Sequence, residues 1–391
     1  MSSSLRLASI ALSFAVLSAR LEVAGAQVPS PKPDSAARSR QDELTFTELA
    51  GGARHTCGLV GDGRAYCWGA NESGQLGDGT TWNRNPTSPV AVSGGLTFTE
   101  LAAGNGFTCG LVSGGRAYCW GLKFDGEPRD GTPVNRASPL AVGSGLVFTQ
   151  FTAGQRHTCG LVSGGRAYCW GENRDGQLGD GTRAKRRSPV AVSGGLRFTH
   201  LTAGALHTCG LVGSGRAYCW GSNSAGELGD GTRAERRSPV AVRGGLRFTQ
   251  LTAGGGNTCG LVGSGRAYCW GGNSYGELGD GTYRDRTSPV PVSGDLTFTE
   301  LTAESLHTCG LASGGLAYCW GDRQLGRLGD ATRIGDGTPL SRTSPVPVSG
   351  GLTFTQLAAG VDRTCGLVSG GRAYCWGFNF GTSPVRVMGS P

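Results

Sequence analysis

The 14 cysteines of this 391-residue chain are its most reactive side chains, and they are regularly spaced. They form seven pairs with nine residues between the two members of each pair. In the first pair, Cys57 and Cys67, the midpoint is Asp62 in the turn 61–63. If that turn closes a hairpin, the two cysteines face each other across adjacent strands, about 4.5–5.5 Å apart at Cβ. A small movement then brings the sulfurs into disulfide range.

This construction predicts one disulfide for each pair, and each bridge closes a short loop worth roughly 2.5–3 kcal/mol. The predicted bridges are Cys57–Cys67, Cys109–Cys119, Cys159–Cys169, Cys209–Cys219, Cys259–Cys269, Cys309–Cys319 and Cys365–Cys375. Zinc sites instead need ligands grouped closely, as in C-x₂-C, or histidines at metal spacing. We therefore expect structural disulfides, no metal site and no cofactor.

Histidine and aspartate recur in patterns that favour structure over catalysis. Four of the five histidines occupy one repeat position, where other repeats carry Phe107, Asn257 or Arg363, and none stands beside a nucleophile in the sequence. The aspartates of the LGDGT segments lie in glycine-flanked turns, where Asp bonds its own backbone, and they lack the spacing of a calcium loop. We predict that the protein is not an enzyme.

The N-terminus has the layout of an export signal. Arg6 precedes the apolar run 7–17, which is too short to span a bilayer, and Ala24-Gly25-Ala26 offers a cleavage site. A polar segment rich in Pro and Ser follows it. We predict a signal peptide at 1–26, a flexible linker at 27–42 and a folded domain at 43–391, in a secreted protein (extracellular or periplasmic) without a membrane span. Export also suits disulfides, which persist in oxidising compartments.

The remainder of the chain consists of seven sequence repeats of about 50 residues each. The first cysteines of successive units are 52, 50, 50, 50, 50 and 56 residues apart. Each unit contains four short strand-like runs, SPVAV, FTELTA, HTCGLV and RAYCW, with a tryptophan after each second cysteine. Short repeated strands at this period are typical of propeller blades. With 71 glycines, long helices are disfavoured.

We therefore predict an all-β, seven-bladed β-propeller with four-stranded antiparallel blades. The short connections suggest that a blade reads SPVAV, FTELTA, HTCGLV, RAYCW, and that the long link leads into the next blade. The first unit has no SPVAV strand before it, and the last is followed by an extra one at 383–387. We expect this C-terminal strand to pair with the first blade and close the ring, which would remove exposed sheet edges. The recurring tryptophans are expected to form the core between blades.

Comparing the seven units with one another suggests where the protein binds. The SGGR and SGGL turns barely change and share one rim, whereas the AGxx connections and the long links vary and share the opposite rim. Loops at one end of a rigid scaffold commonly carry function, and exposed aromatic and Arg residues are common anchors. The candidate binding residues on this variable rim are Trp82, Arg84, Phe107, Phe124, Arg156, Arg174, Arg183, Arg186, Arg187, Arg233, Arg236, Arg237, Tyr275, Tyr283, Arg284, Arg286, Phe378 and Phe380.

The string AYCWGxNxxGQLGDGT, preceded by AGxxHTCGLV, resembles the regulator-of-chromosome-condensation repeat family across residues 44–391. The resemblance implies a seven-bladed propeller. Members have unrelated activities, so fold does not decide function. The nucleotide-exchange activity in this family implies an insertion that forms a wedge in one blade, and no such insertion stands out in this sequence.

Three functions remain open from the sequence. The first is a secreted, non-catalytic, monomeric module that binds an unknown protein through the variable rim, in an inhibitor-like way. The second is a binder of polyanions or cell-surface glycans through the Arg-rich tracts 183–187 and 233–237, in a chain of net charge +8. The third is a guanine-nucleotide exchange regulator, which an export signal disfavours. Polyanion binding would weaken steeply with salt.

Overall fold

The computed structural model describes residues 44–82, 87–122, 135–332, 335, 337 and 339–389. They form seven four-stranded antiparallel sheets, and each sheet uses four strands that follow one another along the chain. One 3-10 turn at Gln324–Gly326 is the only helical element in the described part of the chain. The prediction of an all-β, seven-bladed propeller is confirmed. The predicted signal peptide and linker lie outside the described residues.

We number the sheets as blades 1 to 7 and the strands β1 to β28 along the chain. The first strands of the blades are β1 Phe46–Gly51, β5 Phe98–Ala103, β9 Phe148–Ala153, β13 Phe198–Ala203, β17 Phe248–Ala253, β21 Phe298–Glu304 and β25 Phe354–Ala359. The second strands are β2 His55–Val60, β6 Phe107–Val112, β10 His157–Val162, β14 His207–Val212, β18 Asn257–Val262, β22 His307–Ala312 and β26 Arg363–Val368. The third strands are β3 Ala65–Gly69, β7 Ala117–Gly121, β11 Ala167–Gly171, β15 Ala217–Gly221, β19 Ala267–Gly271, β23 Ala317–Asp322 and β27 Ala373–Gly377. The fourth strands are β4 Val90–Ala91, β8 Arg136–Ala141, β12 Arg186–Ala191, β16 Arg236–Ala241, β20 Arg286–Pro291, β24 Ser341–Pro347 and β28 Gly381–Arg386.

The first strand of each blade lies innermost, and these strands close the ring. Strand β1 packs against β5 of blade 2 on one side and against β25 of blade 7 on the other, and the same contact recurs between the other neighbouring blades. At the junction of blades 7 and 1, the amide of Phe46 donates to the carbonyl of Gly371 at 2.7 Å. The ring is therefore continuous.

Each blade contains the predicted disulfide. The hairpin between β2 and β3 turns through 61–63, the amide of Val60 donates to the carbonyl of Arg64, and Gly63 takes a positive φ of 80° that suits glycine. Cys57 then lies directly opposite Cys67, with Cα atoms 4.0 Å apart. The other six pairs repeat this register, with Cα separations of 4.0–4.1 Å, and no cysteine is free among the described residues.

The hydrophobic core is divided among the junctions between blades. At the first junction, Trp120 of blade 2 packs with Phe98 and with Leu59 and Leu76 of blade 1. The ring centroids of Phe98 and Trp120 are 5.5 Å apart, a tilted arrangement that recurs at each junction. The prediction that the recurring tryptophans form the core between blades is confirmed.

The predicted mode of ring closure is wrong. Strand β28 pairs with β27 of its own blade, with Val385 opposite Cys375, and does not join blade 1. Each blade uses the SPVAV strand that follows its AYCW strand, so the long link lies within a blade and the short SGGL turn connects blades. The reason is that the link extends over the next blade, where the amide of Gly79 donates to the carbonyl of Ala137 at 2.8 Å, before the chain returns to its own sheet.

Candidate functional site

The strand order places two kinds of connection at opposite ends of the blades. The AGxx connections join the first and second strands, and the segments that we call links join the third and fourth strands. The two lie together, because the amide of Ala70 donates to the carbonyl of Arg54 at 2.8 Å. We call this end the variable rim. The hairpin turns between second and third strands lie beside the starts of the next blade's first strands, because the amide of Phe98 donates to the carbonyl of Gly63 at 2.7 Å. We call that end the constant rim.

The links are anchored to the next blade by one shared acceptor. The carbonyl oxygen of Gln75 accepts hydrogen bonds from Thr108 Oγ1 at 2.9 Å and Trp120 Nε1 at 3.0 Å. Gly77 follows with a φ of 72°, and a Cβ there would lie 2.6 Å from Trp120 Nε1, so only glycine fits against the indole. The corresponding carbonyls of Gln177, Glu227, Glu277 and Arg327 accept the same pair of bonds in later blades.

The LGDGT aspartates hold the shape of the links. The Asp180 carboxylate accepts hydrogen bonds from the amide and hydroxyl of Thr182 and from Asn173, and it pairs with Arg186. Although burial raises the pKa of Asp180, the bonds from Thr182 and Arg186 outweigh it, so the pKa lies below its ordinary value. Asp230 and Asp280 have the same surroundings, with Arg236 and Arg286 as partners.

The structure therefore changes the interpretation of three candidate binding residues. Arg186, Arg236 and Arg286 lie with guanidinium nitrogens 2.6–2.8 Å from buried aspartate oxygens of their own links, so their first role is to hold the link. The sequence predicted the same role for all arginines of a tract. It does not show that Arg186 turns back to Asp180 while its neighbour Arg187 points to solvent.

Two further candidates are not exposed, contrary to expectation. Phe107 is 1% exposed, because it occupies the inward-facing repeat position that histidine takes elsewhere on the second strands. Phe380 is 7% exposed and packs with Trp68 in the core of the junction between blades 7 and 1. Arg84 and Phe124 lie outside the described residues.

The other candidates lie at the surface in two groups. Trp82 of blade 1 is 75% exposed, and Phe378 lies in blade 7, the neighbouring blade. The larger group follows an arc over blades 3 to 5, where Tyr275 and Tyr283 are 40% and 53% exposed. The exposed arginines of this arc are Arg156, Arg174, Arg183, Arg187, Arg233, Arg237 and Arg284.

Ion pairs within and between links neutralise part of this arc. Arg183 pairs with Glu235 of the next link. Arg233 lies 3.1 Å from Asp285 of the link after that, and Lys185 lies 2.9 Å from Glu172. Within the described part of the chain, Arg174, Arg187, Arg237 and Arg284 have no acidic partner. Each Arg-rich tract thus keeps one arginine at its end, Arg187 or Arg237, that forms no ion pair with any described residue.

Polar side chains also form a belt on the innermost strands, which sequence reasoning missed. One position on each of these strands reaches the backbone of the next blade; its residues are Glu48, Glu100, Gln150, His200, Gln250, Glu300 and Gln356. The amide of Leu201, for example, donates to Gln150 Oε1 at 3.0 Å. Burial raises the pKa of Glu100 and of Glu300 to about 7, against backbone hydrogen bonds that lower it. The sequence did indicate this belt, because the third residue of the FTELTA segment is polar in all seven units: Glu, Gln or His.

The repeated histidines also connect blades. His55 Nε2 lies 2.8 Å from Thr108 Oγ1 of the next blade, and His157, His207 and His307 make the same contact at 2.7–2.8 Å. Burial lowers the pKa of His55, His157 and His307 to about 3, so these rings are neutral at ordinary pH. The described residues contain no cluster of three or more His, Cys, Asp or Glu side chains arranged to hold a metal ion.

The fold and the repeats define the class of protein: a seven-bladed propeller built from repeats of about 50 residues. Two family models for the regulator of chromosome condensation (RCC1) repeat match the chain. One matches 62–111, 164–211, 214–261 and 264–311, and the other matches 46–75, 98–127, 148–177, 198–227, 248–277 and 354–381. The chain belongs to the RCC1 repeat family.

Curated relatives match only over short segments. The chain is 31% identical over 93 residues to the ultraviolet-B receptor UVR8 of Arabidopsis thaliana, which is 23% of this chain and 21% of the relative. It is 29% identical over 86 residues to the serine/threonine-protein kinase-like protein CCR2 of Arabidopsis thaliana, 20% of this chain and 11% of the relative. The matches thus span less than a quarter of these relatives.

Solved structures match over most of the chain at low identity. Human WBSCR16 matches with a TM-score of 0.74 and 19% identity, over 83% of this chain and 94% of that chain. Yeast RCC1 (Prp20), in its complex with Kap60, matches with a TM-score of 0.73 and 19% identity, over 95% and 92%. These likenesses show the fold. Within the described residues there is no helix of sufficient length and apolar character to cross a membrane.

Proposed function

We propose that this protein is a non-catalytic module that binds a partner protein through the variable rim, mainly over blades 3 to 5. The observation that carries the proposal is that Tyr275, Tyr283 and Arg284 lie exposed on the link of blade 5, on an arc that also exposes Arg237 of blade 4. Neither arginine has an acidic partner among the described residues. Tyr and Arg are the residue types most enriched among residues that dominate interface energies.

Rigidity of the links supports this proposal. An asparagine near the start of the links of blades 1, 3, 4 and 5 holds the segment: Asn273 Oδ1 accepts from the amide of Leu278, and its Nδ2 donates to the carbonyls of Thr282 and Arg284. The ion pair between Arg233 and Asp285 joins two links. A surface held in this way loses little conformational entropy on binding, which favours affinity.

The two alternatives receive less support at this rim. The Arg tracts are largely paired with carboxylates, which weakens the case for polyanion binding there. The likeness to yeast RCC1 is one of fold at 19% identity, so exchange activity is not carried over.

We also infer that the protein works outside the cytosol. Seven disulfides need an oxidising compartment to form and persist, and the sequence 1–26 has the layout of an export signal. A rigid binding surface on an exported protein fits an inhibitor-like role.

The test is affinity capture with the full-length chain on beads, followed by cross-linking and mass spectrometry to locate the contact. The bait is offered proteins from the medium and envelope of the producing cells, at low and at high salt. The rim variant carries Arg237→Ser, Tyr275→Ser, Tyr283→Ser and Arg284→Ser. The control variant carries Arg116→Ser, Arg216→Ser, Arg266→Ser and Arg372→Ser on the constant rim.

The proposal expects a partner that persists in high salt, cross-links to the links of blades 3 to 5 and is lost only with the rim variant. A partner that both variants retain, or that cross-links only to the constant rim, would show the proposal to be wrong. Complete loss of binding in high salt would point instead to a polyanion contact.

A further inference from the structure

Six arginines occupy one repeat position on the constant rim, at the start of each third strand. They are Arg64, Arg116, Arg166, Arg216, Arg266 and Arg372, and all are exposed; blade 6 carries Leu316, 45% exposed, in their place. Their recurrence in six of the seven blades suggests at first that the blade needs them. Leu316 shows that it does not, because blade 6 forms the same hairpin and the same disulfide with leucine.

These arginines interact little with the rest of the protein. Arg64 pairs with Asp62 at 2.7 Å, but Arg116, Arg166, Arg216, Arg266 and Arg372 have no acidic partner among the described residues. Several lie over the tyrosine two residues ahead: the guanidinium carbon of Arg216 is 5.8 Å from the ring centroid of Tyr218, and Arg116 has the same contact with Tyr118 at 6.0 Å. An aromatic ring beneath an arginine supports the side chain while the guanidinium edge stays available.

Two more arginines join the ring beside blades 3 and 4. Arg197 and Arg247 lie where the next first strand begins, and Arg247 Nη1 donates to the carbonyl of Ser214 in the adjacent hairpin turn at 3.2 Å. The hairpin turns and the starts of the next first strands thus carry eight arginines, and the turns of this rim contain two acidic residues, Asp62 and Asp295. The difference, eight minus two, is +6, most of the net charge of +8 for the whole chain.

The geometry of the ring decides which anion fits. Equivalent positions in a closed ring of similar blades lie at similar heights along its axis, so the arginines are approximately coplanar. The turns between second and third strands are only three residues long and contain mostly Gly and Ser, so they leave the arginines as the most prominent side chains. Leu316 and Val147, 45% and 56% exposed, add apolar groups to the same rim.

We propose that the constant rim docks this protein peripherally on a bilayer that contains anionic phospholipids. A flat lipid surface can meet coplanar arginines all around the ring, whereas a linear polyanion would follow only an arc of it. Exposed leucine and valine side chains suit the interface between headgroups and acyl chains. The variable rim would then face away from the membrane, free for its own partner.

The test is flotation of the full-length chain with vesicles of phosphatidylcholine, with and without phosphatidylglycerol. The face variant carries Arg166→Ser, Arg216→Ser and Arg266→Ser. The matched control carries Arg174→Ser, Arg187→Ser and Arg237→Ser on the variable rim, with the same change in charge. All proteins share the first 43 residues, so any contribution of the apolar run 7–17 is common to them.

We expect binding only to the anionic vesicles, weakening with salt. The face variant should bind about 100-fold more weakly, since each basic residue near an anionic membrane contributes roughly fivefold. The control should stay near wild type, and replacing the same three face residues with Lys should retain most of the binding. Equal losses in face variant and control, equal binding to neutral vesicles, or binding to heparin or nucleic acid but not to vesicles would overturn the proposal. The face variant tests the constant rim, whereas the proposed protein-binding function depends on the variable rim, which only the control alters. Membrane docking can therefore be refuted while the proposed function stands, and the proposed function can be refuted while membrane docking stands.

Discussion

The indole Nε1 of Trp120 donates a hydrogen bond of 3.0 Å to the carbonyl oxygen of Gln75, which joins blade 2 to the link of blade 1. At the junction between blades 7 and 1 the corresponding atom, Trp68 Nε1, is buried and has no hydrogen-bond acceptor among the residues that the structure describes. Blade 7 has only 378–380 between its third and fourth strands, and this segment brings Phe380 against Trp68 but no link carbonyl. Arg363 fills the remaining space, with its guanidinium carbon 5.8 Å from the Phe380 ring centroid.

We predict that the ring opens first at this junction. The amides of Phe46 and Leu49, which donate across it to Gly371 and Gln356, should exchange with solvent deuterium faster than those of Phe298 and Leu301, which donate to Gly265 and Gln250 between blades 5 and 6. The reason is that local opening follows the local number of stabilising contacts, and here one link is missing. Native-state hydrogen exchange with mass spectrometry measures both pairs in one experiment, and equal protection would contradict the prediction.

Each disulfide should stabilise its own blade. Replacing Cys209 and Cys219 together with Ala should reduce the free energy of unfolding by roughly 2.5–3 kcal/mol through the loop-entropy effect, with some further loss from buried sulfur contacts. Thermal denaturation measures the change. When native wild-type protein is treated with a thiol reagent in the absence of reductant, almost none of the reagent should be incorporated. Stoichiometric labelling of the cysteines would refute the disulfides.

The buried histidines should make the protein sensitive to acid. Burial holds the pKa of His157 at about 3 and that of His207 at about 4, whereas an unfolded histidine titrates near 6.5. The unfolded chain therefore binds more protons below pH 6.5, and stability falls as pH drops, by about 1–2 kcal/mol per histidine near pH 5. Changing both residues to Asn should flatten this decline.

Asn is a suitable replacement because blade 5 already uses it: Asn257 Nδ2 donates to Thr308 Oγ1 at 3.3 Å. The reverse variant, Asn257→His, should increase the acid sensitivity. Melting temperatures between pH 7.5 and 4.5 test both variants, and parallel curves for all three proteins would exclude the histidines as the cause.

The glutamates of the polar belt should act in the opposite direction. Burial raises the pKa of Glu100 and Glu300 to about 7 in the folded protein, so the folded state holds these protons more firmly than the unfolded chain does. Their contribution is most favourable below pH 4.5 and is lost as pH rises through 7. Glu100→Gln with Glu300→Gln should therefore raise the melting temperature at pH 8 and change it little at pH 4.5.

Gln at these positions keeps the acceptor, as Gln150 Oε1 does for the amide of Leu201. The reverse change, Gln250→Glu, should lower the melting temperature at pH 8. A double variant that is less stable than wild type at pH 8 would show that the carboxylates are needed as such.

The sequence predicted correctly those features that depend on residues within a single repeat. The spacing between Cys57 and Cys67 determines their register because the turn between them is only three residues long and belongs to the same hairpin. Burial of the tryptophans was also predicted correctly, because they recur at the same position of the third strand in every repeat. Phe107 and Phe380 were misplaced because burial depends on neighbouring blades: Phe107 points inward as histidine does, and Phe380 replaces a missing link.

The sequence by itself determined the number of blades, the disulfide in each and the division into a variable and a constant rim, because these follow from local spacing repeated seven times. Only the tertiary structure decided that the SPVAV strand joins the AYCW strand before it, because the link crosses to the next blade and returns, a path that spacing does not reveal. It also decided which arginines pair with carboxylates, because the partners lie either back within the same link, as Asp180 does for Arg186, or on the next link, as Glu235 does for Arg183. The charge exposed on the variable rim is therefore set by folding of the links and by contacts between repeats.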